Sequence, residues 1–284
     1  MKKTNAILRI VLCAAVVVVL GAVLVTSLMG ESQNFSAGDV GEALEGTIGI
    51  EAEKIQNLQI HWVSGDIHLS VATDGSKEIR VSVDGDKDQP AYWQVKGQTL
   101  ILRYSRPTVG ISSVVEPDKN LTIVVPADWC GQELDIETVS GTVKGDLLNV
   151  ADIEVENVSA ECLFESCWAK TVSFETVSGN VEYRGRVLEL ECNTVSADCK
   201  VVLLEHNAQR LSMEAVSGDL IVSIPEEMGY SASLDSVSGN IYSDFHATHE
   251  NGQMVYGDGS CKIDAESVSG DIEIRKMTVQ LTTP

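Results

Sequence analysis

The residues with the clearest chemical potential are carboxylates that recur at one position of a repeated pentapeptide. Counted from the valine that begins each copy, an acidic residue stands two positions earlier in most copies. The carboxylates at this position are Glu137, Glu156, Glu175, Glu214, Asp235 and Glu266, with Asn193 at the same place in one copy. Oxygen ligands of this kind suit Ca²⁺. The pattern therefore predicts either a calcium-binding ladder or a solvated acidic face that keeps other sheets away.

A second polar group lies where the repeat is interrupted, at about residues 244–260. This segment contains His246, His249 and Tyr256. Loops on rigid scaffolds often carry binding functions, so these three residues are predicted to form an interaction loop. A His-x-x-His pair alone is a weak metal signal, and an ordinary solvated loop is the alternative.

The cysteines allow several arrangements. Six follow the N-terminal apolar segment: Cys130, Cys162, Cys167, Cys192, Cys199 and Cys261. In an exported domain, six cysteines could form up to three disulfides, in about 15 pairings. The alternative is that they are free, small core residues. Cys162 and Cys199 fall at one repeat position two copies apart, so stacking would separate them by roughly 9–10 Å, too far for a disulfide. A Cys192–Cys199 bridge across one corner stays open.

The pentapeptide also predicts the architecture that positions these residues. Its most regular copies read Val-Ser-Gly-Asp/Asn-Ile, and its copies begin at Val63, Val139, Val158, Val177, Val195, Val216, Val237 and Val268. A constant period near 20 residues is typical of a solenoid, in which each repeat is one turn. The spacing of 76 from Val63 to Val139 equals four periods of 19. Residues 78–125 are therefore interpreted as less regular turns of the same solenoid.

Apolar residues flank each copy at alternate positions, five and three before the valine and four and six after it. This period of two predicts a strand with one buried face on each side of the motif. Ser-Gly between the strands predicts a bend. The predicted fold is an all-β parallel β-solenoid of ~19–21-residue turns, with about ten rises and a length on the order of 50 Å. A row of antiparallel hairpins is the alternative, but only stacking favours the same residue type at each position.

The N-terminus carries an unbroken apolar run, Ile10 to Met29, preceded by Lys2, Lys3 and Arg9. Its length suits a transmembrane helix, and the positive-inside rule leaves the N-terminus in the cytoplasm. A cleaved signal peptide is the alternative. The predicted organisation is a cytoplasmic stub at 1–9, a signal anchor at 10–29, a tether at 30–45, a solenoid domain at 46–276 and a tail at 277–284. Within the solenoid, 46–130 is expected to be irregular and 131–276 regular.

The overall charge limits the partners. The chain has 42 acidic against 20 basic residues and a net charge of −22. Such a charge disfavours nucleic acid and suits cations or basic partners.

The repeat resembles the bacterial "putative adhesin" family of β-strand repeats. Trp62–Leu69, Leu121–Pro126 and the strands from Leu134 onward follow its layout, over roughly residues 45–275. Ala160 and Ala197 depart from it, because they replace the motif glycine. The resemblance implies a β-helical domain of the bacterial cell envelope, often membrane-anchored. It supplies no established activity and no catalytic residue.

The predicted function is a non-catalytic, adhesin-like surface or envelope interaction module. It would be a single-pass protein of the cell membrane with its C-terminal domain outside, binding an unknown protein or polysaccharide of the envelope. One alternative is an envelope-stress or signalling accessory that acts through a membrane partner. A polysaccharide-acting β-helix enzyme is less favoured, because the acids follow the repeat rather than one locus. No cofactor is predicted.

Overall fold

The computed structural model describes residues 41–85, 89–105, 118–250 and 252–277. These ranges are almost entirely β, with one 3-10 helix at Ala52–Lys54. The strands are β1 (Glu42–Ala43), β2 (Thr47–Glu51), β3 (Asn57–His61), β4 (Ile67–Val71), β5 (Glu78–Asp84), β6 (Tyr92–Lys96), β7 (Thr99–Arg103), β8 (Asn120–Val125), β9 (Gly131–Asp146), β10 (Val150–Thr176), β11 (Val181–Thr194), β12 (Cys199–Leu203), β13 (Arg210–Ser217), β14 (Leu220–Ile224), β15 (Tyr230–Ser236), β16 (Ile241–Ser243), β17 (Thr248–Glu250), β18 (Gln253–Tyr256), β19 (Cys261–Ser269) and β20 (Ile272–Lys276).

The described ranges contain no helix long and apolar enough to cross a bilayer. The segment at 10–29, for which a membrane helix is predicted, lies outside these ranges. The predicted domain bounds therefore stay predictions.

Parallel pairing in a constant register joins successive copies of the repeat. Val143 pairs with Cys162, which in turn pairs with Val181 on its other side. These residues all stand four positions after their motif valine. Equivalent positions of the repeat, which we call slots, therefore lie directly beside one another in successive copies. The expected solenoid stacking is confirmed, and the hairpin alternative is wrong for the repeats. We call each turn a coil, named after its valine. The strands before the motif form the leading sheet, and those after it form the trailing sheet.

The coils do not follow chain order at the N-terminal end. The Val63 coil lies directly beside the Val139 coil, with β3 and β4 both paired to β9. The expectation that residues 78–125 supply turns between them is wrong. Strands β7 and β8 form a coil on the far side of the Val63 coil. Beyond it, β6 and β5 pair antiparallel with β7 and β8, and β1 and β2 extend these edges. The antiparallel strands cap this end of the solenoid.

Chain order is also broken at the C-terminal end. Strand β19 pairs with β13 on one side and β15 on the other. The Val268 coil is therefore inserted between the Val216 and Val237 coils. Strand β18 pairs antiparallel with β15, and β17 with β18, which forms an end cap. Within the described residues the stack has nine coils, or about eight rises of ~4.8 Å, which is shorter than expected.

Five of the corners contain a buried polar residue that the sequence reasoning missed. The residue directly before the motif valine points inward, and it is polar and buried as Thr138, Asn157, Thr176, Thr194 and Ser267. The Thr176 hydroxyl donates to Asn157 Oδ1 at 2.8 Å and accepts from the Gly179 amide at 3.0 Å. These bonds satisfy backbone groups that the bend removes from the strand ladder.

The motif glycine allows the corners to approach closely. A Cβ built on Gly179 would overlap the backbone carbonyl oxygen of Ala160 in the neighbouring coil. The carbonyl group of one corner thus occupies the space that a side chain would need at the equivalent position of the adjacent corner.

Candidate functional site

The outward side chains of the leading sheet form a continuous acidic surface, which we call the acidic face. Strand alternation turns the residues two, four and six positions before each valine away from the core. The carboxylates of the acidic face are Glu133, Asp135, Glu137, Asp152, Glu154, Glu156, Glu175, Glu189, Glu191, Glu214, Asp264, Glu266 and Asp235. The structure places the predicted ladder in one row, in the spatial order Glu137, Glu156, Glu175, Asn193, Glu214, Glu266 and Asp235.

The opposite surface of the solenoid has a different charge distribution. On the trailing sheet the acids are matched by bases of adjacent coils, as in Lys200–Glu182 at 2.7 Å and Arg184–Glu165 at 2.9 Å. On the acidic face, pairing occurs towards the two ends of the sheet, where His61 contacts Glu137 at 3.0 Å. Arg210 lies 3.8 Å from Asp264 near the other end. The middle of the leading sheet therefore concentrates negative charge.

Packing raises the pKa of four carboxyl groups on this face. Partial burial raises the pKa of Glu156 to about 7, and the charges of Glu175 and Glu137 on the flanking coils add to the shift. Burial first, and like charges second, also raise the pKa of Glu154 and Glu175. Burial raises the pKa of Asp135 as well, although a hydrogen bond from Gln59 opposes the shift. The centre of the face thus retains protons more readily than ordinary surface carboxylates.

A groove of about 790 Å³ crosses the acidic face. Its polar lining includes Glu133, Glu154, Glu189, Glu191 and Glu214. The groove runs over several coils, so an extended cationic ligand could contact carboxylates of successive coils. The described ranges contain no group of three or more His, Cys, Asp or Glu side chains arranged to hold one metal ion. Calcium binding by Glu137, Glu156, Glu175, Glu214, Asp235 and Glu266 stays a prediction.

The acidic and amide residues at the corners have a structural use. Three positions after the motif valine, a side-chain oxygen accepts the backbone N–H of the equivalent residue in the next coil. Asp198 Oδ1 accepts from the Asp219 amide at 2.8 Å, and Asp219 Oδ1 accepts from the Asp271 amide at 2.8 Å. Asn180 Oδ1 receives the Asp198 amide at 3.0 Å in the same way. The repeated Asp or Asn is thus part of the ladder that joins the coils, and the bonds run between coils rather than within one turn.

The three residues of the predicted interaction loop lie in or beside the β17–β18 hairpin of the end cap, in different environments. His246 and His249 are exposed. Tyr256 instead packs against Phe245, with ring centroids 4.7 Å apart, and its hydroxyl donates to the Glu226 carbonyl at 3.1 Å. Its ring also stacks on Tyr230 at 5.8 Å. Tyr256 therefore stabilises the end cap, and a contact role for His246 and His249 stays a prediction.

The fold and the acidic face together define a β-solenoid repeat domain with one strongly charged surface. Residues 131–275 match the family model Toastrack DUF4097. The chain belongs to the Toastrack DUF4097 family. The family match confirms the expected resemblance to a β-repeat family without established function.

Several solved structures are similar to this chain. A "putative cell adhesion protein" from Clostridium sporogenes covers 83% of this chain and 100% of its own, with 14% identity and a TM-score of 0.38. A "putative adhesin" from Bacteroides fragilis covers 81% and 96%, with 15% identity and a TM-score of 0.43. A "putative lipid binding protein" from Parabacteroides distasonis covers 84% and 98%, with 15% identity and a TM-score of 0.40. A comparison with curated proteins finds no significant match.

Proposed function

We propose that this protein is a non-catalytic, membrane-anchored interaction module of the bacterial cell envelope, and that its acidic face binds a basic partner. Residues 10–29 would form the anchor, residues 30–45 the tether, and the solenoid would lie outside the membrane. The observation that carries the proposal is the unequal charge of the two surfaces. One sheet balances its acids with bases of adjacent coils, whereas the other leaves a row of stacked carboxylates.

Stacked carboxylates have an energetic cost. Neighbouring strands lie ~4.8 Å apart, and like charges directly opposite on a sheet are destabilising by a few tenths of a kcal/mol or more each. Burial, and after it this repulsion, raise the pKa of Glu156 in the folded protein. A basic partner would relieve the repulsion, and the concentrated field would steer its approach.

The distribution of pKa shifts supports a binding surface rather than an active site. A glycoside hydrolase uses two carboxylates with different roles at one locus. Here the pKa values of Asp135, Glu154, Glu156 and Glu175 are all raised with burial as the largest cause. The shifts follow the repeat across several coils, as expected of a surface that binds along its length.

The binding proposal can be tested with a defined basic ligand, a fluorescent deca-lysine peptide, at low and high salt. One variant neutralises the groove through Glu133→Gln, Glu154→Gln, Glu189→Gln and Glu191→Gln. A matched variant removes the same charge from the trailing sheet through Asp146→Asn, Glu165→Gln, Glu182→Gln and Glu273→Gln. We expect affinity to fall at least about tenfold in the first and less than about twofold in the second, because face-specific pairing depends on local charge. Equal losses in both variants would show that only net charge matters.

The anchoring proposal has its own test. Cys130 is exposed, whereas the other cysteines of the described ranges are buried. A membrane-impermeant maleimide applied to intact cells without an outer permeability barrier should therefore label Cys130 of the full chain. A Cys130→Ser variant provides the background. Labelling that requires cell lysis would place the domain in the cytoplasm and refute the proposed topology.

A further inference from the structure

We propose that Cys192 and Cys199 form a disulfide that links the leading and trailing sheets across the corner of the Val195 coil. In the cell this bond depends on the export that the proposed function includes, because disulfides persist in oxidising compartments. The geometry of the pair can be tested independently of export.

The two cysteines are on opposite sides of one corner. Cys192 stands three residues before Val195 and Cys199 four residues after it, and both of these slots point into the core. Both side chains are fully buried free thiols, and Cys199 is among the neighbours that raise the pKa of Cys192, after burial itself. A disulfide would require the two sulfurs to close to ~2.05 Å.

The packing around the pair holds each thiol in place. In the leading sheet Cys192 is aligned with Phe174 on one neighbouring coil and Met213 on the other. In the trailing sheet Cys199 is aligned with Val181 and Leu220. These aligned apolar side chains flank both cysteines along the stack.

The other cysteines of the described ranges are placed differently. Cys162 shares the slot of Cys199, but Val181 of the intervening coil separates them. The Cys167 thiol donates to the Gly145 carbonyl at 3.4 Å. Cys130 is exposed at the start of β9, where Asn149 donates to its sulfur at 3.2 Å.

The reaction is a thiol–disulfide exchange. One thiolate attacks a disulfide of an exported thiol oxidant to give a mixed disulfide, and the second thiolate displaces the oxidant. The S–S bond of the oxidant breaks and the Cys192–Cys199 bond forms. The two cysteines lose two protons and two electrons, and the oxidant takes them up and leaves as a dithiol. Burial raises the pKa of Cys192 well above its ordinary value, so thiolate is scarce in the folded core. The exchange therefore belongs to folding, before the coil closes.

The sequence provides a simple assay. Trypsin cleavage after Arg186 and Lys200 releases one peptide, 187–200, which contains both cysteines and no other. The full chain is solubilised in mild detergent, denatured with an alkylating agent and digested without reduction. We expect this peptide to be unalkylated and lighter than the dithiol form by two hydrogen atoms. After reduction it should take up two alkyl groups.

A matched internal control comes from the same digest. The tryptic peptide 145–170 contains Cys162 and Cys167, two buried cysteines at a similar spacing. It should be alkylated at both residues without reduction. A bond there as well would indicate unspecific oxidation and overturn the assignment.

A second arm separates the geometry from export. The reduced chain is refolded in detergent with reduced and oxidised glutathione, and the peptide 187–200 is examined again. If the Cys192–Cys199 bond forms in the refolded chain but not in the cell-derived chain, the two cysteines are placed correctly for a disulfide, and the result counts against export of the domain. If the refolded peptide remains fully alkylated, the proposed bond is wrong.

The bond should also change thermal stability. Closing a loop of this length should raise Tm by about 5 °C relative to the reduced protein. Cys199→Val places in this slot the residue that Val181 has in the adjacent coil. This variant should fold and should lose the difference in Tm between oxidised and reduced samples. A difference that persists in Cys199→Val would show that another bond is responsible.

Discussion

Replacing Glu156 with Gln should stabilise this protein at pH 8, although Glu156 lies on the surface of the solenoid. The carboxyl is partly buried on the middle of the acidic face, between Glu137 and Glu175 of the flanking coils. Glutamine keeps the size of the side chain and removes its charge. The substitution therefore removes burial of a charge and two repulsions without opening a cavity.

The magnitude follows from the pKa of Glu156. The pKa of about 7 in the folded protein stands against an ordinary value of 4.5, and a difference of one in pKa corresponds to about 1.4 kcal/mol. The unscreened limit is therefore about 3.4 kcal/mol. Because the group is partly solvated, screening reduces this, and we expect about 1–2 kcal/mol.

The pH dependence of this effect has a definite sign. A carboxyl whose pKa is raised by folding binds protons more tightly in the folded state, so stability increases as pH falls from about 7 to 4.5 and decreases as pH rises through 7. The ionised carboxyl destabilises the folded protein fully at pH 8. For a gain of this screened size, the gain from Glu156→Gln at pH 5 should be about half of its value at pH 8.

Urea unfolding at pH 8 and pH 5 measures both quantities. Glu182→Gln is the matched control, because Glu182 lies on the trailing sheet and pairs with Lys200 at 2.7 Å. This control should give no gain at either pH. If Glu156→Gln fails to stabilise at pH 8, or stabilises equally at both pH values, the assigned cause of its raised pKa is incorrect.

Substitutions at three further positions test the corners and the end cap by the same unfolding measurement. Gly179→Ala should cost at least about 2 kcal/mol, because its Cβ would overlap the Ala160 carbonyl oxygen; a neutral result would show that the corners are not closely packed. Asp219→Ala should cost about 1–2 kcal/mol by removing the acceptor of the Asp271 amide, whereas Asp219→Asn, which keeps an acceptor, should be nearly neutral. Tyr256→Ala should lower the free energy of unfolding by about 2 kcal/mol, because it removes a ring from the aromatic cluster of the end cap. An unchanged stability would instead favour a contact role for Tyr256.

The sequence correctly predicted which residues occupy equivalent slots. Alternation with a period of two defines the buried side of each strand, and Ser-Gly defines the bend. Both signals are local, so they can be recognised without knowledge of the rest of the chain. The pairing of Val143, Cys162 and Val181 in one row follows directly from them. The outward row of carboxylates could also be read this way, because its residues alternate with the buried positions.

The sequence did not predict the order of the coils. Equivalent coils present the same hydrogen-bonding edge and the same apolar slots, so a local pattern cannot specify which coil lies beside which. The Val268 coil, for example, lies between the Val216 and Val237 coils, although it follows both of them in the sequence.

The tertiary structure alone therefore decided which coils lie side by side. It packed Tyr256 into the aromatic cluster of the end cap, and it partly buried Glu156, which raises the pKa of this carboxyl together with the charges of the flanking carboxylates. The physical reason is that strand periodicity is encoded within about 20 residues, whereas stacking order and electrostatic environment depend on contacts between distant parts of the chain.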